Sequence, residues 1–129
     1  MSRIRSYRDL VVWRKSTDLS QCVYRLVQLL PPEEKYELGS QMRRACVSIS
    51  CNIAEGAGKR TTKDFINFLS MAKGSDFEVG NQLILGERIG YFTPEQTQEA
   101  KQLCFEIECM LNSLMVSLRR KIENGEAKK

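Results

Sequence analysis

The stretch QMRRACVSISCNIAEGAGK, residues 41–59, decides the fold of this chain. It is a long run of small and apolar residues without a proline, it begins near two arginines, and it closes with the polar unit Asn52…Glu55-Gly56. Because the distance between packed helices depends on the size of the side chains at the contact, small residues allow close approach. The stretch therefore predicts a helix that packs tightly against a neighbour, with a polar end that needs a specific partner.

The segments on either side repeat apolar side chains at three- and four-residue steps, the spacing typical of amphipathic helices. Helices are predicted at about residues 10–30, 36–56, 62–90 and 94–121, with a flexible polar tail at 123–129. The sequence shows no competing strand pattern, and the connections between the predicted helices are short. The pattern predicts an all-α, up-down-up-down antiparallel four-helix bundle that forms a single domain over residues 1–129.

Prolines and glycines mark the ends of these helices. The prolines at 31 and 32 disfavour the helical conformation in the residue before them, and the glycines at 56 and 58 suit a helix end. Thr93, Pro94 and Gln96 resemble a capping box with proline in the first turn. Gly74 interrupts the third pattern, and we expect one long helix with a potential kink at that point.

The composition excludes several classes of site. The chain of 129 residues has a net charge of +4, no histidine and five cysteines without CxxC spacing. Histidine-based zinc sites and histidine general bases are therefore excluded, and we expect no metal, no cofactor and no catalytic residue. The cysteines occupy apolar helical positions, so we interpret them as reduced core residues of a cytoplasmic protein. The N-terminus lacks the apolar segment of a signal peptide, and no apolar run is long enough to span a membrane.

Positive charge is concentrated in the first half of the chain. Residues 1–60 contain 11 lysines and arginines against 6 acidic residues, whereas residues 61–129 contain 9 against 10. The predicted nucleic-acid-binding residues are Arg3, Arg5, Arg8, Arg14 and Lys15 near the N-terminus, and Lys59, Arg60 and Lys63 around the turn between the second and third helices. Cations with interleaved aromatic residues, here Tyr7 and Trp13, suit single-stranded or structured RNA. The alternative is a solvated terminus with Trp13 packed in the bundle.

The turn at residues 56–62, GAGKRTT, resembles a phosphate-binding loop in composition only. It lacks the GxxxxGK[ST] spacing and the preceding strand, so we interpret it as a helix–helix turn. Its cations lie next to the N-terminus of the third helix, which is a favourable position for a backbone phosphate.

A second group of polar residues is predicted to fix helix pairing and assembly. Its members are Arg43, Arg44, Asn52, Glu55, Glu78 and Gln82. Arg43 and Arg44 suit either phosphate contacts or ion pairs within or between subunits, and we favour the ion pairs. Asn52 and Glu55 lie close to the turn between the second and third helices, whereas Glu78 and Gln82 lie about four or more helical turns beyond it. These unequal distances disfavour a direct contact within one subunit. A buried or interfacial polar network is favoured over a paired-carboxylate acid–base site.

The motif QxRRAxxSIxxNIAEG, read over residues 41–56, resembles the S23 family of 23S rRNA-intervening-sequence proteins. The other matching pieces are LVVW at residues 10–13, LPPE at 30–33, FxxFL at 65–69, and Gly74-Ser75 with Glu78 and Gln82. The resemblance covers about residues 7–120.

The resemblance implies a four-helix bundle that assembles as a ring-like homopentamer and that is often encoded within an insertion in a large-subunit rRNA gene. A related branch, the accessory proteins of diversity-generating retroelements, binds nucleic acid and a reverse transcriptase. No catalytic residue is carried over from the family. We therefore expect a non-enzymatic homo-oligomer that binds RNA or DNA through basic surfaces. Structured RNA is the favoured ligand. The alternative is a protein–protein assembly or accessory module, for example for a reverse transcriptase, that binds no nucleic acid.

Overall fold

The computed structural model describes residues 6–127, which form helices joined by short turns, without a strand in that range. A short 3-10 turn, Tyr7–Asp9, precedes α1 (Val11–Val27), α2 (Pro32–Lys35), α3 (Leu38–Ala57), α4 (Thr62–Ile89) and α5 (Pro94–Glu123). α1, α3, α4 and α5 form the predicted four-helix bundle. Around the bundle α1 packs against α3, α3 against α4, α4 against α5, and α5 against α1.

The apolar stripes that predicted the helices meet along the bundle axis. The largest fully buried apolar side chains come from all four long helices: Leu19, Val23, Val27, Met42, Ile49, Ile53, Leu69, Val79, Leu83, Ile107 and Leu111. None of the long helices can bury its apolar stripe alone, so the helices stabilise one another through this shared core.

The first two long helices differ from their predicted boundaries. α1 ends at Val27 rather than at residue 30, because the N–H groups of residues 28, 29 and 30 bond carbonyls three residues earlier at 3.2, 2.9 and 3.1 Å. The hydrogen bonding thus changes from the α-helical to the 3-10 pattern before the prolines, while Leu30 remains buried in the core. Pro32 then begins the one-turn helix α2, and α3 begins at Leu38 instead of residue 36.

The third and fourth predicted helices agree closely with the structure. α4 continues through Gly74 without a break, and its N-cap Thr61 accepts a hydrogen bond from the Asp64 N–H at 3.1 Å. Thr93 and Gln96 form the full capping box at the start of α5. Between the two helices Gly90 adopts a left-handed φ of 99°, which an L side chain would strain. Phe92 then folds back over Gly86 and is buried.

Close contact between α3 and α4 confirms what the small residues of the opening stretch predicted. A Cβ atom on Gly56 would lie 2.7 Å from the Cβ of Phe68 and 3.0 Å from the ring of Phe65. Further along the pair, the hydroxyl oxygens of Ser48 and Ser75 lie 2.8 Å apart. These two contacts fix how α3 and α4 align along their length.

The cysteines agree only in part with their interpretation as core residues. All five thiols are free, and Cys22, Cys46 and Cys104 are buried. Cys51 and Cys109 are exposed, so the interpretation is wrong for these two. Both occupy the outer surface of a bundle helix, because apolar spacing alone does not distinguish a core position from one beside it. Over residues 6–127, none of the helices has the length and apolar character needed to cross a bilayer.

The Gly56→Ala substitution should destabilise the fold by about 1–3 kcal/mol, because the added methyl group meets Phe68 where neither helix backbone can yield easily. Gly74→Ala is the matched control, since its Cβ would meet nothing within 4 Å in an exposed part of α4. The control should gain roughly 0.5–1 kcal/mol from helix propensity. Urea unfolding followed by circular dichroism measures both, and equal stability changes in the two variants would contradict the close contact.

Candidate nucleic-acid interface

The antiparallel arrangement brings four chain segments together at one end of the bundle. These segments are the start of α1 with the 3-10 turn, the end of α3, the start of α4 and the end of α5. We call this the basic end, because it gathers Arg8, Arg14, Lys59, Arg60, Lys63, Arg119, Arg120 and Lys121. The fold thus unites the two predicted groups of cations, which are separated in sequence by most of α1 and by the whole of α2 and α3.

Charge differs between the two ends of the bundle. The carboxylates that share the basic end are Asp9, Glu55, Asp64, Glu123 and Glu126. At the opposite end Glu33, Glu34, Glu37, Glu87, Glu95 and Glu99 lie with Arg25, Lys35, Arg43, Arg88 and Lys101. The cationic excess of the chain is therefore concentrated at one end rather than spread over the surface.

Two cations near the N-terminus are held by the protein itself. Lys15 forms an ion pair with Glu106 on α5 at 2.8 Å, and this hydrogen bond raises the pKa of Lys15 and lowers that of Glu106. Arg14 donates to the backbone carbonyls of Arg8 and Asp9 at 3.2 and 3.4 Å, which holds the 3-10 turn against α1. Lys15 thus already has a carboxylate partner, whereas Arg14 makes no ion pair within residues 6–127.

The other predicted cations of the basic end are exposed. Lys59 lies over the ring of Phe68 at 5.0 Å, and Arg8 lies over the ring of Tyr7 at 5.4 Å. Arg60 and Lys63 flank the N-terminus of α4, whose free N–H groups favour anions. Arg3 and Arg5 lie outside the described residues.

Three cations at this end were missed by the sequence analysis. Arg119, Arg120 and Lys121 occupy the last turns of α5, where cations interact favourably with the helix dipole. Their proximity to the turn between α3 and α4 depends on the bundle topology. The topology prediction itself was the signal that could have found them, because it places the end of the fourth long helix beside that turn.

The six residues of the predicted polar network do not form one network. Asn52 donates hydrogen bonds to the backbone carbonyl and the hydroxyl of Ser48 at 2.9 and 3.0 Å. The Ser48 hydroxyl in turn contacts the hydroxyl of Ser75 on α4. Gln82, which is buried, contacts Glu78 on its own helix at 3.5 Å.

The remaining members point elsewhere. Arg43 donates to the backbone carbonyl of Lys35 at 3.3 Å and so ties α3 to the α2 turn. Arg44 and Glu55 are exposed, and neither makes a side-chain hydrogen bond or an ion pair within residues 6–127. Within one chain the network is therefore two local clusters, on α3 with Ser75 and on α4.

A buried carboxyl group that the sequence analysis did not single out lies between α4 and α5. Asp76 is only 2% exposed, and its Oδ1 has no hydrogen-bond partner within residues 6–127. Burial raises the pKa of Asp76 to about 7. A hydrogen bond with the Cys104 thiol opposes this increase in the pKa, and the nearby carboxylate of Glu108 adds to it. The adjacent Cys104 thiol is also buried, and burial raises its pKa. A single aspartate in an apolar helical stripe gives no sequence signal that distinguishes it from a surface residue.

At the opposite end two polar contacts hold the helix connections. Glu87 accepts a hydrogen bond from Thr97 at 2.7 Å and pairs with Lys101 at 2.9 Å, which together lower the pKa of Glu87. The Tyr91 hydroxyl donates to Glu34 at 2.7 Å, and this bond raises the pKa of Tyr91. Within the described range no three histidine, cysteine or acidic side chains converge as metal ligands.

The fold and the charge distribution define an all-α four-helix-bundle protein with a basic end. The chain matches the model of the 23S rRNA-intervening sequence protein family over residues 8–113, and it belongs to that family.

A solved structure supports this assignment. The chain is similar to a protein of unknown function from the S23 ribosomal protein family of Bacteroides thetaiotaomicron VPI-5482, with 31% sequence identity and a TM-score of 0.75. The similarity covers 81% of this chain and 95% of the solved one. No curated protein matches the chain significantly.

Asp76 should make the stability of the monomeric chain depend on pH. Its folded-state pKa of about 7 lies above the ordinary aspartate pKa of 3.8, so the folded chain holds a proton that the unfolded chain releases between these two pH values. Stability should therefore fall as pH rises from about 4 to about 7, by a few kcal/mol. Asp76→Asn should flatten this slope and be the more stable protein at pH 8, as measured by urea unfolding at pH 5 and pH 8 at protein concentrations where the chain is monomeric. The exposed Asp64→Asn is the control, and a wild-type slope in Asp76→Asn would contradict the interpretation.

Proposed function

We propose that this chain is a non-enzymatic bundle protein that assembles with copies of itself, as a pentameric ring, and binds structured RNA through the basic end. The observation that carries the proposal is the gathering of eight cations from four chain segments at one end of the bundle. Phosphate contacts from lysine and arginine supply most of the affinity in sequence-independent nucleic-acid binding.

Assembly would strengthen this surface. In a closed ring with cyclic symmetry every subunit presents the same end on the same face, so the basic ends combine into one positive surface. A modest excess of charge per chain then becomes a field large enough to concentrate a polyanion.

The aromatic residues favour structured over single-stranded RNA. Tyr7 and Trp13 pack edge to face with ring centroids 5.2 Å apart, and Trp13 lies against the core. Their rings are thus engaged within the protein, whereas single-strand binding uses aromatic faces that are free to stack on bases. Double-stranded RNA is recognised mainly through phosphates and shape, which exposed cations can contact without stacking.

The second candidate is an accessory module that binds another protein, for example a reverse transcriptase, without contacting nucleic acid. It is favoured by exposed apolar side chains on the outer surface, among them Tyr36, Met71 and Ile89. Binding to RNA in the absence of any other protein distinguishes the two candidates.

The double variant Arg60→Gln/Lys63→Gln should bind RNA about tenfold more weakly than the wild type, because two phosphate contacts are lost. The plot of log affinity against log salt should also become shallower by about 0.9 per lost contact. Fluorescence anisotropy with a labelled stem-loop from 23S rRNA, at several salt concentrations, measures both quantities. A duplex DNA of equal length, measured in parallel, tests the preference for RNA.

The matched control is Lys35→Gln/Arg88→Gln, which removes two cations from the opposite end. Its affinity should stay within about twofold of the wild type. Equal losses in both double variants would overturn the basic end as the binding surface. The absence of salt-sensitive binding at micromolar protein would overturn nucleic-acid binding and leave the accessory module.

A further inference from the structure

A groove of about 420 Å³ runs between α4 and α5 on the outer surface of the bundle. Phe77, Ile84 and Phe105 line it and are 52%, 53% and 60% exposed. Asp76 lies at its floor and Glu108 at its side. Apolar side chains exposed together around a buried polar group are typical of a surface that a partner covers.

Within residues 6–127 the carboxyl groups of the groove have no cationic partner. Asp76 Oδ1 has no hydrogen-bond partner, and neither Asp76 nor Glu108 forms an ion pair within residues 6–127. Lys101, the cation that lines the groove, is already paired with Glu87 at 2.9 Å. Buried polar groups in folded proteins are normally satisfied, so the groove is complementary to a group that donates hydrogen bonds and carries positive charge. Lys73 already lies over the ring of Phe77 at 5.6 Å. The exposed ring of Phe105 favours a guanidinium, which packs on aromatic faces more readily than an ammonium group.

Arg44 provides a guanidinium group on α3, on a different flank of the bundle from the α4–α5 groove. It is exposed on α3 and has no partner within the described chain. Ser48, one turn after Arg44, contacts Ser75 on α4 at 2.8 Å. Because α3 and α4 are antiparallel, Arg44 lies level with the turn that follows Ser75, the turn that contains Asp76.

The relative positions of Arg44 and the groove suit a closed assembly. Arg44 lies on the same side of α3 as Ser48, facing the α3–α4 flank, whereas the groove lies on the far side of α4. The two surfaces are thus separated by less than half a turn around the bundle axis and share one height along it. A head-to-tail contact between them rotates each successive copy without a large shift along the axis, which is the condition for a ring rather than a filament.

We propose that Arg44 of one copy inserts into the α4–α5 groove of a neighbouring copy, where it pairs with Asp76 and Glu108 between Phe77 and Phe105. This inference rests on the proposed homo-oligomer and names the two surfaces that build it. It assigns a role to the exposed arginine of the opening stretch and to the unpartnered carboxyl group, which lie too far apart around the bundle to meet within one chain.

Charge reversal on either surface tests the contact. Arg44→Glu and Glu108→Lys, both at solvent-accessible positions, should each raise the dissociation concentration of the assembly about a hundredfold, because each leaves like charges facing one another. Analytical ultracentrifugation and native mass spectrometry measure the assembly state, and circular dichroism confirms that each variant is folded. Arg119→Glu and Glu95→Lys are the matched controls on other surfaces and should assemble like the wild type.

Mixing the two defective variants distinguishes a head-to-tail contact from other effects of charge. The intact arginine of Glu108→Lys fits the intact groove of Arg44→Glu, and the two reversed charges also attract one another. The equimolar mixture should therefore associate, although each variant alone dissociates. A ring of five cannot alternate the two variants completely, so its mixed form keeps one mismatched contact. Failure of the mixture to assemble would overturn the inference.

The remaining outcomes separate this inference from the proposed function. If the wild type is a monomer at every concentration tested, both the homo-oligomer and the contact are wrong. If the wild type assembles and both charge-reversal variants assemble equally well, the contact is wrong and the homo-oligomer stands.

Discussion

The close packing of α3 against α4 is the constraint on which the rest of the structure depends. At Gly56 the helices approach so closely that a methyl group would overlap Phe68, and the Ser48–Ser75 contact aligns them further along. This alignment sets the direction in which α4 leaves the turn at residues 58–61. It therefore determines which residues of α4 face α5, and where the cations of the turn lie relative to those near the N-terminus.

Much of this arrangement could be predicted from the sequence, because it depends on local patterns. Apolar spacing located the four long helices, and the capping chemistry of Thr93 and Gln96 located the start of α5 within a residue. The end of α1 was predicted at residue 30 but lies at Val27. Proline shows where a helix cannot continue, but it does not show where the α-helical hydrogen bonding has already changed to the 3-10 pattern. The bundle topology also sufficed to bring the predicted cations of the α3–α4 turn and the N-terminus together.

The parts that could not be predicted depend on position around the bundle rather than along the chain. Spacing did not show that Cys51 and Cys109 lie outside the core, or that Asp76 lies inside it. Lys15 and Glu106 are distant in sequence, and only their meeting across α1 and α5 removes Lys15 from the available cations. Within the described residues of one chain the polar set separates into clusters on α3 and on α4, because side-chain reach spans only one turn between Asn52 and Ser48 or between Gln82 and Glu78.

The polar residues of the α3–α4 pair thus divide into those satisfied within the chain and those that are not. Asn52, Ser48 and Ser75 satisfy one another and stabilise the alignment of the two helices, a local task that a single chain completes. Arg44 and Asp76 are unpaired in that chain and lie level along the bundle axis, on flanks that cannot meet. A bundle with an exposed guanidinium on one flank, and on the next flank a buried carboxyl group whose Oδ1 is unsatisfied, presents two surfaces of complementary chemistry. In the proposed ring the same alignment would direct every basic end to one face, so assembly and the positive surface would share one structural cause.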